Sequence, residues 1–285
     1  MKIGASLEAI TGRSLDDRYP ETTLKELASS VVEVVTEHSL QVVELPLDAA
    51  FIYPALFTEQ ALSQMRQVAE ENSFRYTAHL PYMWLDLSSI NEEMRKASVH
   101  CVLEGLMKAQ NLDPLAYPLH LTAERADAIA TSNWAEEEKR AFLDRMVKQA
   151  ERSLEEIAQE VEPAKLCVEN SEAIPFERLL PLVRKHGVSI CLDVGHLALR
   201  GEDPVAFIET HFEAIKEVHL HDVRRIGWIH GGPVLSDHQP LGSGLLDLRK
   251  IMETLKTRNY DGVLLLEMMS RDDLLQSLAT LNRLL

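Results

Sequence analysis

The sequence predicts a (β/α)8 TIM barrel formed as a single domain over residues 1–285. Three observations predict it. Short apolar runs alternate with amphipathic helical patterns eight times. The chain length lies close to the ~250 residues typical of that fold. Histidines and carboxylates recur at the ends of the apolar runs, where a barrel places its reactive groups. The same alternation also fits a doubly wound open sheet.

The runs are Lys2–Leu7, Val42–Leu45, Arg75–Leu80, Tyr117–Leu121, Lys165–Glu169, Ser189–Val194, Ile215–His221 and Gly262–Met268. They are β-branched or leucine-rich and too short for helices. Helical patterns fall near 23–38, 59–72, 91–110, 134–161, 175–186, 204–213, 247–258 and 272–285. Thr23 with Glu26 and Ser89 with Glu92 have capping-box spacing, and Ser270 with Asp273 is a looser version. Asp203-Pro204 puts proline at a first helical position. Trp134, Phe142, Met146, Leu154, Ile157 and Val161 form one apolar stripe. The stretch 222–246, rich in Gly and Pro, reads as an extended loop after the seventh strand.

Apolar residues make up 46% of the chain, enough for a sizeable core, and the net charge is −16. Such a balance argues against a general nucleic-acid binder, which needs a basic face. Cys101, Cys167 and Cys191 lack CxxC spacing and read as reduced thiols of a cytoplasmic protein. No window approaches a membrane span, and the N-terminus lacks the apolar stretch of a signal peptide.

Eight residues carry the chemistry. His79, His120, Glu169, Asp193, His219 and Glu267 end strands three to eight, or nearly so, and His196 and His238 lie just beyond. A single strand-end histidine is ordinarily a hydrogen-bonded core or loop residue. An unpaired buried carboxylate is costly, so Glu169 and Glu267 need a partner, a salt bridge being the structural alternative. Six consecutive strands would each need a separate structural reason. His219 and His221 are two apart, so both can face inward. His38, His100, His186 and His211 fall in helices or at their ends. His230, in the long loop, can touch substrate, while Arg224 and Arg225 read as solvated. LGSG at 241–244 lacks the context of a nucleotide loop, and GxSxG is absent.

With these motifs the chain resembles the xylose-isomerase-like barrels, which include endonuclease IV and sugar-phosphate isomerases and epimerases. HLPY at 79–82, ENS at 169–171, DVGH at 193–196, HLHD at 219–222, HQPLGSG at 238–244 and Glu267 resemble the endonuclease IV elements in order. The resemblance implies three metals, usually zinc: one on His79, His120 and Glu169; a second on Glu169, Asp193, His219 and Glu267; a third on His196 and His238. The family's DxH pattern would put an aspartate at 236, where this chain has Ser236, with Asp237 one residue out of step. Isomerases and epimerases need only the Glu169, Asp193, His219, Glu267 set. A subgroup cleaving the phosphoribosyl link of cobamides is similar in DVGHL, VHLHDV and DH.

The nitrogen and oxygen donors suit zinc or manganese, with no thiolate in the set. The expected activity is metal-dependent hydrolysis of a phosphate ester in a small anionic or sugar-containing substrate. Glu169, Glu267 and His196 are its catalytic residues. The alternatives are sugar or sugar-phosphate isomerisation, with Glu169 and Glu267 as acid and base, and a non-catalytic ligand-binding barrel.

Overall fold

A computed structural model describes residues 1–12, 24–171, 174–229 and 232–285. Ten strands are present among them: β1 (Lys2–Ser6), β2 (Val42–Pro46), β3 (Arg75–His79), β4 (Tyr117–Leu119), β5 (Leu166–Glu169), β6 (Ser189–Asp193), β7 (Ile215–Leu220), β8 (Asp222–Ile229), β9 (Gly232–Gln239) and β10 (Val263–Leu266). Eight of them pair in parallel in the order β3-β2-β1-β10-β7-β6-β5-β4. The outer two of that order also meet: Ala78 N–H donates to the Ala116 carbonyl, Leu80 N–H to Pro118, and Leu115 N–H to Tyr76. The sheet is therefore a barrel and not an open, doubly wound sheet.

The strands read as continuous apolar runs because parallel strands are covered on both faces. Leu45, Leu80, Leu119, Leu192, Val218, Leu220 and Leu266 are buried together with the inner faces of the helices. The barrel interior also holds polar groups, among them Glu44, Thr77, Glu217 and His219, all nearly inaccessible. Among the described residues no helix is long and apolar enough to cross a membrane.

Several sequence expectations are corrected. The helix Glu92–Ala109 is capped by Asn91, whose side chain accepts from the Glu93 and Met94 amides, so Ser89 and Glu92 form no capping box. Asn is among the best N-caps and stands one residue before the helix. Thr23 lies outside the described residues. The expected helix 134–161 is shorter, Glu136–Ile157, and a separate helix, Glu124–Ala130, precedes it. Trp134 lies before the longer helix and is exposed, and Leu143 replaces it in the buried stripe. Ser270 caps its helix and Pro204 takes the first helical position, both as expected, with Asp203 as the cap before it.

The stretch 222–246 is not simply a loop. β8 and β9 pair as an antiparallel hairpin above the barrel mouth. From Asp222 to Arg224 on β8, the partner moves from Gln239 to Ser236 on β9. That step inserts an extra residue, a bulge, and His238 there takes a left-handed φ of 50°. Bulges re-aim side chains, and this one decides which residue of Ser236-Asp237-His238 faces the barrel.

Candidate metal centre

Every strand-end residue expected from the sequence lies at the C-terminal end of the barrel. Glu169, at the end of β5, is central. Its Oε2 is 3.2 Å from His79 Nε2 and 3.1 Å from His120 Nε2. Its Oε1 faces His196 Nδ1 at 3.5 Å and His219 Nδ1 at 3.7 Å. His79, His120 and Glu169 offer atoms close enough together for one ion, as do Glu169, Asp193 and His196.

The tautomers follow from the neighbours. His79 Nδ1 lies 3.0 Å from the Leu80 carbonyl, and His196 Nδ1 lies 2.9 Å from that of Asn170. A carbonyl only accepts, so each Nδ1 carries a proton. In a neutral His79 ring Nε2 would then aim a lone pair at the Glu169 carboxylate. A proton or a cation must occupy that line. In the ion-free protein it is a proton: burial opposes the charge, but Glu169 raises His79 to about 9. Burial likewise opposes charge on His196, which Asp193 and Glu169 raise to about 9.

On the other side of Glu169, His219 Nδ1 lies 3.0 Å from Glu267 Oε2. Yet His219 Nδ1, His219 Nε2 and Glu267 Oε2 are buried with no hydrogen-bond partner among the described residues. Buried polar atoms are normally satisfied, so this pairing fits a donor set shaped around a cation. The next groups are His238 Nε2, 3.6 Å from Glu267 Oε2, and Glu44 Oε2, 3.5 Å from His219 Nε2. Nitrogen and carboxylate oxygen together suit zinc or manganese.

Asp193 is less free. It caps the helix Val194–Leu199 by accepting from the His196 amide at 2.7 Å, and His221 Nε2 reaches both its oxygens. Burial would raise its pKa, but His196 and His221 hold it below the usual carboxylate value. Asn170 ties β5 to β6 through the Asp193 backbone, donating to its carbonyl at 2.9 Å and accepting from its amide at 2.8 Å.

In the hairpin, the bulge places Asp237, and not Ser236, beside the histidines. Asp237 Oδ1 is 3.2 Å from His238 Nδ1, and Oδ2 is 3.9 Å from His196 Nε2. Ser236 Oγ instead accepts from Gln239 Nε2 at 3.3 Å. Burial would raise Asp237, but His238, His221 and His196 bring it down to about 2. Arg224 and Arg225 are exposed, and His230 lies outside the described residues.

The sequence pattern did not single out several residues here. Glu44 ends no run, but a carboxylate inside VVELP carries the same signal as Glu169 in LCVE. Cys191 lies close enough to Glu169 and His219 to share an ion, although burial pushes its thiol well up. Asp48 accepts from the Tyr82 and Met83 amides and so holds the HLPY loop. Asp222 accepts from Val223, Gly242, Gly244 and Leu246, which fixes the LGSG loop. A Cβ at Gly244 would overlap that carboxylate.

Tyr82 stacks on His120 with ring centroids 4.6 Å apart. Both line a cleft of about 540 Å³ that also touches Trp84, Thr122, Arg125 and His196. A cavity of about 760 Å³ between the helices Leu24–His38 and Glu59–Glu71 lies away from this cluster.

Closed barrel, strand-end donors and hairpin together define a TIM barrel with candidate metal-ligand groups at the C-terminal ends of its strands. The chain belongs to the xylose isomerase-like TIM barrel family, whose family model matches residues 32–284. A D-tagatose 3-epimerase-like protein of known structure superposes with a TM-score of 0.73 at 22% identity, covering 100% of this chain and 97% of that one. Endonuclease IV from Thermus thermophilus gives 0.66 at 18%, covering 100% and 98%. An inosose dehydratase of Lacticaseibacillus casei is 30% identical over 102 residues, which are 32% of this chain and 34% of that enzyme.

Proposed function

We propose that the protein is a divalent-metal-dependent hydrolase of a phosphate ester in a small anionic or sugar-containing substrate. One observation carries the reading: the two oxygens of Glu169 face different donor groups, His79 with His120 on one side and His219, beside Glu267, on the other. A carboxylate so placed can bridge two ions, and paired ions suit phosphoryl chemistry. When bound, they supply positive charge that acidifies water and neutralises phosphate oxygens.

The ligands in this reading are His79, His120, Glu169, Asp193, His196, His219, His238 and Glu267, with Asp237 completing the His196–His238 group. His79 and His196 give up their ring protons on loading, and the Leu80 and Asn170 carbonyls keep each Nδ1 proton in place. In this reading Glu267, beside His219 and His238, takes or returns a proton at the substrate. Tyr82 and His120 form one wall of the cleft that receives the rest of the substrate. Zinc suits the donors best, with manganese also compatible. The acidic chain repels duplex DNA, so the substrate is a metabolite and not a nucleic acid. The VHLHDV and DH motifs make a cobamide-type phosphodiester one substrate worth assaying.

A second reading has its own support. Glu169 and Glu267 approach the same His219 nitrogen at 3.7 and 3.0 Å, so two carboxylates flank one position. That pair suits proton transfer at carbon in sugar isomerisation or epimerisation. An assay of the zinc-loaded protein decides between them. Small phosphate mono- and diesters are scored for release of the alcohol, and ketoses for deuterium exchange at carbon. Ester cleavage without exchange supports hydrolysis. Exchange without ester cleavage overturns it for the isomerase reading.

A further inference from the structure

His221 is a fully enclosed group beside the cluster that has no assigned role. It follows β7 and is inaccessible to solvent. Its Nε2 lies 2.9 Å from Asp193 Oδ2 and 3.1 Å from Oδ1. The backbone amide of His238 donates to its Nδ1 at 2.9 Å, and the Asp222 carbonyl is farther off at 3.4 Å. An amide only donates, so Nδ1 is the acceptor and the proton sits on Nε2, pointing at Asp193. The ring lies flat on that of His238, centroids 4.4 Å apart and planes 8° apart. A Cβ at Gly195 would overlap the His221 ring, so the start of the helix carrying His196 packs directly against it.

We infer that His221 is a positioning residue: it fastens Asp193 of the barrel to the Asp237–His238 bulge of the hairpin and so fixes the spacing of ligands borne by separate elements. His221, His238 and Glu267 offer nitrogen and oxygen atoms close enough together for an ion. Both His221 nitrogens are already hydrogen-bonded, however, so ligation would break at least one buried bond. The fastening role explains the amide donor, the two carboxylate contacts and the ring stack together. Without it, the hairpin would meet the barrel through fewer fixed contacts, and the bulge that aims Asp237 would lose its anchor. The inference rests on the metal-dependent reading for its consequence, but the fastening itself does not.

Three variants separate the contacts. His221→Gln keeps a donor near Nε2, His221→Asn keeps an acceptor near Nδ1, and His221→Phe keeps only the stack. Zinc is titrated calorimetrically into the metal-free full-length protein, and exchange of the His238 amide is followed by hydrogen–deuterium exchange. His221→Phe should weaken zinc roughly 10-fold or more, in the range known for groups that orient ligands, without losing an equivalent. His221→Gln should recover most of that affinity. The His238 amide should exchange on the order of tenfold faster in His221→Phe than in His221→Asn. Zinc affinity within twofold of wild type in His221→Phe overturns the inference, and so does loss of a whole equivalent, which would make His221 a ligand. If the wild type binds no zinc, the metal reading falls and amide exchange alone decides: equal rates in the Phe and Asn variants overturn the fastening. If the Phe variant does not fold, the Gln and Asn variants are compared directly, and zinc affinities and exchange rates that both match wild type overturn it.

Discussion

Asp222 and Glu267 both lie at the mouth of the barrel, two carboxylates in opposite situations. Asp222 accepts from four backbone amides, and each oxygen is used. Glu267 has an oxygen 3.0 Å from a histidine nitrogen, with neither atom in a hydrogen bond among the described residues. A carboxylate filled with N–H donors is framework, because its charge is already balanced by fixed dipoles. A carboxylate facing ring nitrogens that lack donor geometry needs a proton or a cation. Asp193 lies between the two, satisfied by His196 and His221 yet within reach of Glu169.

The sharpest way to break that contrast is Glu169→Gln. Its carboxylate is common to both donor groups, so the variant should lose most bound metal and all measurable turnover, read by elemental analysis and by the ester assay. Full metal content with unchanged turnover would remove Glu169 from the site. Asp222→Ala tests the framework side. Leaving those buried amides without an acceptor should cost about 3 kcal/mol of folding stability in the metal-free protein, as measured by denaturant unfolding. Glu267→Gln should change that stability much less while weakening zinc more. The reverse order would erase the distinction.

A pH series sharpens the same point. His79 and His196 are raised to about 9 in the ion-free protein, above the ordinary imidazole value of ~6.5. The stability they contribute is therefore fully present below that ordinary value and is lost as pH rises through about 9. The melting temperature of the metal-free protein should fall between pH 7 and 9.5, whereas the zinc-loaded protein should show no such fall. Zinc binding at pH 7 should release protons, visible in calorimetry as a dependence on buffer ionisation enthalpy. The smallest expected effect is at the bulge. Ser236→Ala should leave metal content unchanged, and Asp237→Asn should weaken the ions held near His196 and His238. Equal effects would return the role to Ser236.

Much of the barrel and its donor set is legible in the amino-acid sequence alone. Runs such as LCVE and SICLD are almost uniformly buried because parallel strands are covered on both sides, and such burial leaves a plain sequence signal. Polar residues ending such runs stand out for the same reason. The hairpin is not legible, because Gly232-Pro233 and the polar residues of β9 read as loop. Its bulge depends on how β9 registers against β8, which no local pattern encodes. His221 illustrates a further limit. HLH shows that two rings can share a face, but only Asp193 on β6 and the His238 amide on β9 set the second ring apart from the first. The Asn91 cap shows the converse case, where a spacing rule points to Ser89 although a stronger cap stands beside the helix.

Metal stoichiometry tests the central claim most directly. Purified protein loaded with zinc and freed of excess should hold two or more equivalents, and Glu169→Gln should hold at least one fewer. One equivalent or none in the wild type, or a Glu169→Gln content equal to that of the wild type, would contradict the bridged centre.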